Sequence, residues 1–263
     1  MASLTKHGHP LLASLLTVSL AALTPVEAFA EEPTEEQKQA LVEELELLKE
    51  ETVSIAVRHE QPISEAPSDV YVTTDEDIRQ SGAIDIPTIL RRIPGMEVMQ
   101  TTAAVFNVSV RGDNQLMANK LLVMVDGRSI YIDAGGNVFW KLLPVTLPEI
   151  KRIEVLKGPA SAVYGFNAFD GIINIITKSP EEMRGTTLQF GGGEFGTISS
   201  AALHADTLGK LGYRLSIGDD QTKQWRNRNA LAFRAYTFNV RTEYALPGGS
   251  NGVWPALSLP KGG

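Results

Sequence analysis

The chain has 263 residues, with 31 acidic and 24 basic side chains, 43% apolar residues and no cysteine. That apolar share supplies a packed core and excludes disorder as the main description. The missing cysteine excludes a disulfide framework, a thiolate metal site and a thiol nucleophile. The net charge of −7 is local: residues 31–51 hold nine glutamates against Lys38 and Lys49, which leaves 22 acidic and 22 basic residues elsewhere. A neutral body argues against a nucleic-acid partner, which calls for a basic stripe.

Residues 1–30 read as a cleaved export signal. Lys6 and His7 precede an apolar run over 11–23, and Ala28-Phe29-Ala30 forms a small-residue cleavage pattern ahead of Glu31. The run is shorter than the ~20 residues a spanning helix needs. Residues 31–50 follow as an acidic linker. Leu41, Val42, Leu45 and Leu48 recur in it at helical spacing, which predicts a short amphipathic helix, with a solvated linker preferred over a docking role.

From residue 51 to 180 the pattern is mixed α and β. Residues 52–57 alternate as an extended piece, Gln61-Pro62 breaks it, and residues 70–73 resume it. Thr74 and Asp77 have capping-box spacing and start a helix that stops at Gly82. Asp85 caps a second short helix with Pro87 in its first turn, and Pro94-Gly95 ends it. Strands are expected over 105–111, 120–126, 150–156 and 171–177, with a helix-capable turn at 161–164 and the isoleucines 172, 173, 175 and 176 in the core. The expected fold class is an α+β domain, a mixed sheet with short helices.

Residues 148–178, PEIKRIEVLKGPASAVYGFNAFDGIINIITK, resemble the signature block of the plug domain of TonB-dependent outer-membrane receptors. The resemblance extends to IPTILRRIPG at 86–95, VSVRG at 108–112 and LVMVDG at 122–127, in the family's order and spacing. Phe166, Phe169 and Asp170 depart from the small residues frequent there. The resemblance implies a plug inside a β-barrel that gates energised uptake of a scarce nutrient, foremost a ferric siderophore, with cobalamin or haem as alternatives. It implies TonB as a partner. Glu51, Thr52, Val53, Ser54 and Ile55 resemble the TonB box, which pairs with TonB as an added strand; the alternative is an ordinary first strand of the plug sheet. It also implies that Arg111 pairs with barrel carboxylates, against a solvated surface charge, and that apical plug loops touch ligand. The matching residues are Thr101, Phe106, Tyr131, Asn137, Phe139 and Trp140, and for Phe139 and Trp140 simple packing of the loop is the alternative. No resident cofactor and no protein ligation of the metal are expected, because a siderophore brings its own ligands.

Beyond residue 184 the texture is that of membrane β-strands, expected at 186–194, 197–206, 212–219 and 232–244. Leu211, Tyr213, Leu215 and Ile217 alternate with Gly212, Arg214, Ser216 and Gly218. Hairpin ends are expected at 193–196 and 208–210. Gly191 to Gly196 also matches G-x-G-x-x-G, but no helix follows, so a dinucleotide site is set aside. The residues from 248 on lose the alternation. Four strands are too few to close a barrel, for which ~8 is the smallest number, so an incomplete barrel over 184–263 and a truncated receptor are expected. A barrel-less periplasmic plug-type binding or signalling module and a non-functional product are the alternatives. No zinc-protease HExxH motif or P-loop is present, and no enzyme activity is expected.

Overall fold

The computed structural model describes residues 52–55, 61–65, 69–112, 120–132, 137–223, 232–245, 251–254 and 261–262. The export signal and the helical linker lie outside the described residues.

The short elements form where local chemistry dictates. Strand β1 (Thr52–Val53) pairs antiparallel with β2 (Gln61–Pro62). Gln61-Pro62 therefore pairs where a break was expected, because a two-residue edge tolerates the missing proline N–H. After β3 (Val70–Thr74), helix α1 (Asp75–Ser81) opens on the expected capping box. The Thr74 hydroxyl accepts from the Asp77 N–H at 3.2 Å, and the Asp77 carboxylate accepts from the Thr74 N–H at 2.9 Å. Gly82, at φ 64°, ends it with its N–H on the Arg79 carbonyl. Helix α2 (Ile86–Leu90) is capped by Asp85, whose carboxylate accepts from the Thr88 N–H at 2.9 Å.

Strand β4 (Met96–Gln100) pairs with β5 (Phe106–Val110) as a hairpin. No strand is expected over 96–100 from the sequence; the exposed Met99 interrupts the apolar–polar alternation there. Strands β6 (Leu121–Val125), β7 (Arg128–Ser129), β8 (Ile150–Leu156) and β9 (Gly171–Thr177) join β3 in a sheet of order β3-β8-β9-β6-β7. Only β6 and β9 run parallel, so the sheet is mixed, as expected. Helix α3 (Ser161–Tyr164) lies in the β8–β9 connection.

Both faces of this sheet are covered. Ile153, Val155, Ile173 and Ile175 pack beneath α1, α2 and the β4–β5 hairpin. Leu122, Met124, Leu156 and Ile172 pack with Ile55 and Ala168 on the other face. Ile176 is only half-buried and lines a cavity of mixed polar and apolar walls, so it departs from the core role expected of it. At Gly171 a Cβ would stand 2.4 Å from the Leu156 carbonyl oxygen, which no side chain tolerates.

The second part is an antiparallel wall of β10 (Gly185–Gly193), β11 (Thr197–Leu208), β12 (Leu211–Thr222) and β13 (Phe233–Ala245). Their register sets Leu188, Ala202, Ile217 and Phe238 in one row and Thr187, Leu203, Ser216 and Asn239 in the adjacent one. Leu188, Ile217 and Phe238 are exposed while Leu203, Ser216 and Asn239 are buried, which is the expected alternation. The 208–210 turn and a 3-10 turn (Glu194–Gly196) close the two hairpins. Two short strands, β14 (Asn251–Trp254) and β15 (Lys261–Gly262), pair with β13, although this tail lacks the alternation. Backbone pairing along a free strand edge does not require it. Among the described residues the sheet stays open, and no helix is long and apolar enough to cross a membrane.

Candidate functional site

The α/β domain meets the wall through buried charge. Thr146 and Glu149 cap a 3-10 turn (Leu147–Glu149) that leads into β8. The Thr146 N–H and hydroxyl donate to one Glu149 oxygen at 2.6 and 2.7 Å. The other oxygen takes Ser216 Oγ at 2.8 Å, Asn239 Nδ2 at 3.3 Å and Arg214 Nη2 at 3.1 Å, all three from the wall. Glu149 is fully buried and Arg214 nearly so. Arg214 also donates to the Lys178 carbonyl, and Asn239 Nδ2 donates to the Pro144 carbonyl at 3.1 Å.

A second contact uses Asp126, held at φ 48°, a conformation that Asp tolerates better than most residues. Its carboxylate accepts from the Thr177 N–H and hydroxyl, both at 2.8 Å, and pairs with Arg241 of β13 at 2.9 Å. A third places Lys141 Nζ 2.9 Å from Asp85 and 2.8 Å from Asp220 of β12. Burial disfavours the Lys141 ammonium, but the Asp85 and Asp220 charges outweigh it and hold its pKa above the usual lysine value. Burial likewise works against the Asp85 carboxylate, and Lys141 with Thr88 turns the net shift downward.

The seam also depends on a close approach. A Cβ on Gly191 of β10 would stand 2.9 Å from Ile84 Cγ2, and one on Gly193 would stand 3.5 Å from Ile84 Cδ1. The glycine run that mimics a dinucleotide fingerprint thus seats Ile84 against the wall.

Arg111, expected to pair with barrel carboxylates, is exposed at φ 56° and donates to the Lys157 carbonyl at 3.0 Å. Among the described residues no wall carboxylate reaches it. Among the described residues, two ion pairs across the seam have the opposite polarity, a domain carboxylate to a wall arginine, and Lys141–Asp220 follows the expected one. The sequence did carry a signal: Arg214 and Arg241 stand at inward positions of alternating strands, and Thr146 and Glu149 have capping-box spacing.

Of residues 51–55, Glu51 lies outside the described residues. Thr52 is exposed, while Val53 and Ile55 are completely buried. The Ser54 and Ile55 N–H groups donate to Glu154 Oε2 at 3.1 and 3.0 Å. The backbone here is engaged, where strand addition requires it free. Among the described residues β1 pairs with β2 and not with the five-stranded sheet, so the segment is not an ordinary strand of that sheet.

Phe106, Tyr131, Asn137, Phe139 and Trp140 converge on one cavity of about 360 Å³, together with Val105, Asn107, Val108, Leu121, Val123 and Val138. Thr101 does not line it. Its N–H donates to the carbonyl of Val105, a lining residue, at 3.0 Å. Phe106 and Trp140 also belong to the core, whereas Phe139 is exposed and Asn137 half-buried. Burial pushes the Tyr131 phenol up to about 12, and its hydroxyl donates to the Leu121 carbonyl. The lining is neutral and aromatic, suited to the organic surface of a ligand. Among the described residues no group of three or more His, Asp or Glu could hold a metal.

A mixed-sheet domain is thus seated by buried ion pairs against antiparallel strands with an apolar outer face, the arrangement of a plug domain beside membrane-type β-strands. Residues 62–172 match the family described as TonB-dependent Receptor Plug Domain. The vitamin B12 transporter BtuB of Vibrio vulnificus is 35% identical over 184 residues, covering 68% of this chain and 27% of that protein. The pyoverdine outer membrane receptor FpvA from Pseudomonas aeruginosa PAO1, bound to pyoverdine, superposes with a TM-score of 0.61 at 19% identity, covering 80% of this chain and 29% of that one. The siderophore receptor PirA from Pseudomonas aeruginosa gives 0.51 at 25% identity, covering 70% and 33%. The chain belongs to the TonB-dependent receptors, carrying their plug and barrel strands, and it spans under a third of the length of these relatives.

Proposed function

We propose that this chain supplies the plug and first wall strands of an outer-membrane receptor for TonB-energised uptake of a metal chelate, foremost a ferric siderophore. In this reading residues 1–30 export the chain and are removed, residues 31–50 tether it, residues 51–180 form the TonB box and plug, and residues 184–263 begin the barrel in outer-membrane lipid. It carries no enzyme activity.

The observation that carries the reading is the convergence of Phe106, Tyr131, Asn137, Phe139 and Trp140 on one neutral cavity. An iron already wrapped by an organic chelator presents such a pocket with an aromatic or amide surface and needs no protein ligand to the metal. Cobalamin is the second reading, favoured by the named activity of the 35% identical relative. Titration of the chain in detergent with aryl ferric siderophores and with cobalamin, followed by fluorescence, separates the two. Phe139→Ala is expected to weaken the true ligand by about tenfold, in line with ~1–1.5 kcal/mol for one aromatic contact. Saturable binding of neither ligand class would overturn the proposal.

For residues 51–55, a peptide spanning 48–58 is expected to bind the TonB C-terminal domain by strand addition, and the same peptide with Val53→Pro is not, since proline lacks the donor N–H. Equal binding of both peptides would remove the TonB-box assignment.

A further inference from the structure

Glu154 takes no part in the seam, yet it is a fully buried carboxylate on β8. Its Oε2 accepts the N–H groups of Ser54 and Ile55 at 3.1 and 3.0 Å, with the Ser54 hydroxyl at 3.4 Å. Its Oε1 accepts from Arg152 Nε at 2.8 Å. A carboxylate without water is stable only when such donors surround it, and two of these donors are the backbone of a segment a hundred positions away. The same segment buries Val53 and Ile55, the latter against Leu122, Leu156 and Ile172.

We infer that Glu154 is the positioning residue that locks residues 52–55 into the plug and keeps them from any strand-adding partner. The inference rests on the reading of Glu51–Ile55 as the TonB-binding segment. Docked and strand-added states exclude one another, because the Ser54 and Ile55 N–H groups cannot serve Glu154 and a partner strand together. The apparent affinity of the partner then falls by the fraction of chains in which the segment is free. Charge gives the lock its strength, since N–H bonds to a carboxylate are stronger than those to an amide. Glu154→Gln keeps the shape, removes the charge and takes the anion away from Arg152.

The absence of native cysteine makes the test clean, because a single introduced thiol is unique. Val53→Cys reports the docked segment, and Ala103→Cys, at a buried plug position away from it, reports the plug as a whole. In the purified full chain, maleimide labelling of Val53→Cys is expected to be slow and to rise on the order of tenfold with Glu154→Gln, the equivalent of losing about one charge-assisted hydrogen bond. Labelling of Ala103→Cys is expected to stay unchanged. If Val53→Cys stays equally protected in the Glu154→Gln chain, the lock is refuted. If both thiols become reactive together, Glu154 merely stabilises the plug and the inference fails. Binding of the native 48–58 peptide to TonB is read separately, so loss of that binding refutes the TonB-box reading while the labelling result still decides the lock.

Discussion

Replacing Glu149 by glutamine removes the one anion that holds plug and wall together at this point of the seam. In the native chain its two oxygens take the Thr146 N–H and hydroxyl, Ser216, Asn239 and Arg214, all within 3.3 Å. A glutamine keeps the volume but turns an NH2 group toward some of these donors and leaves the buried Arg214 guanidinium without its directly paired anion, with only the more distant Asp126 and Glu243 charges acting on it. Breaking a buried pair from one side costs about 3–5 kcal/mol, which is two to three and a half orders of magnitude in the folded-to-unfolded ratio at ~1.4 kcal/mol per decade. Urea unfolding of the chain in detergent micelles measures it. Arg214→Met alone leaves the buried Glu149 carboxylate with its neutral donors but without its ion-pair partner and is expected to cost a similar amount. The double variant, with neither charge buried, is expected to recover at least ~2 kcal/mol relative to additivity. A single-variant loss below ~1 kcal/mol, or an additive double variant, would refute the assignment of Glu149–Arg214 as the seam's main electrostatic contact.

Two further outcomes are expected. Gly191→Ala forces a Cβ to within 2.9 Å of Ile84 Cγ2 and is expected to destabilise the seam by about 1–3 kcal/mol, with Ile84→Ala in the same chain restoring most of it; a neutral Gly191→Ala would mean that the wall yields there. The Asp85 carboxyl is held below its ordinary value of 3.8, so its contribution to stability is complete above the unfolded-state value and is lost as pH falls through the lower folded value. Urea midpoints measured between pH 2.5 and 6 are expected to fall less steeply on the acid side in Asp85→Asn than in the parent, and parallel curves would contradict the Lys141–Asp85 pairing.

Much of the architecture was legible in the residues themselves. The Thr74/Asp77 box and Gly82 bound α1, because capping is a property of a few consecutive residues. Leu215 and Ile217 outward, with Arg214 and Ser216 inward, followed from the two-residue period of a strand. The residues forming the cavity could be proposed from a family resemblance, but the sequence did not show that Thr101 would stand behind Val105 or that Phe106 and Trp140 would double as core.

Tertiary structure alone decided the electrostatics. Whether a plug cation meets a wall carboxylate or the reverse depends on how two sheets are registered against each other, and no local pattern encodes that. Arg111 was the expected contact and turned to the Lys157 carbonyl, while Glu149 and Asp126 found arginines 65 and 115 positions away. The fate of residues 52–55 was hidden for the same reason. Their β-branched side chains permit an extended strand, but whether that strand lies open to a partner or is held shut depends on Glu154, a hundred residues along the chain and adjacent only in the folded protein.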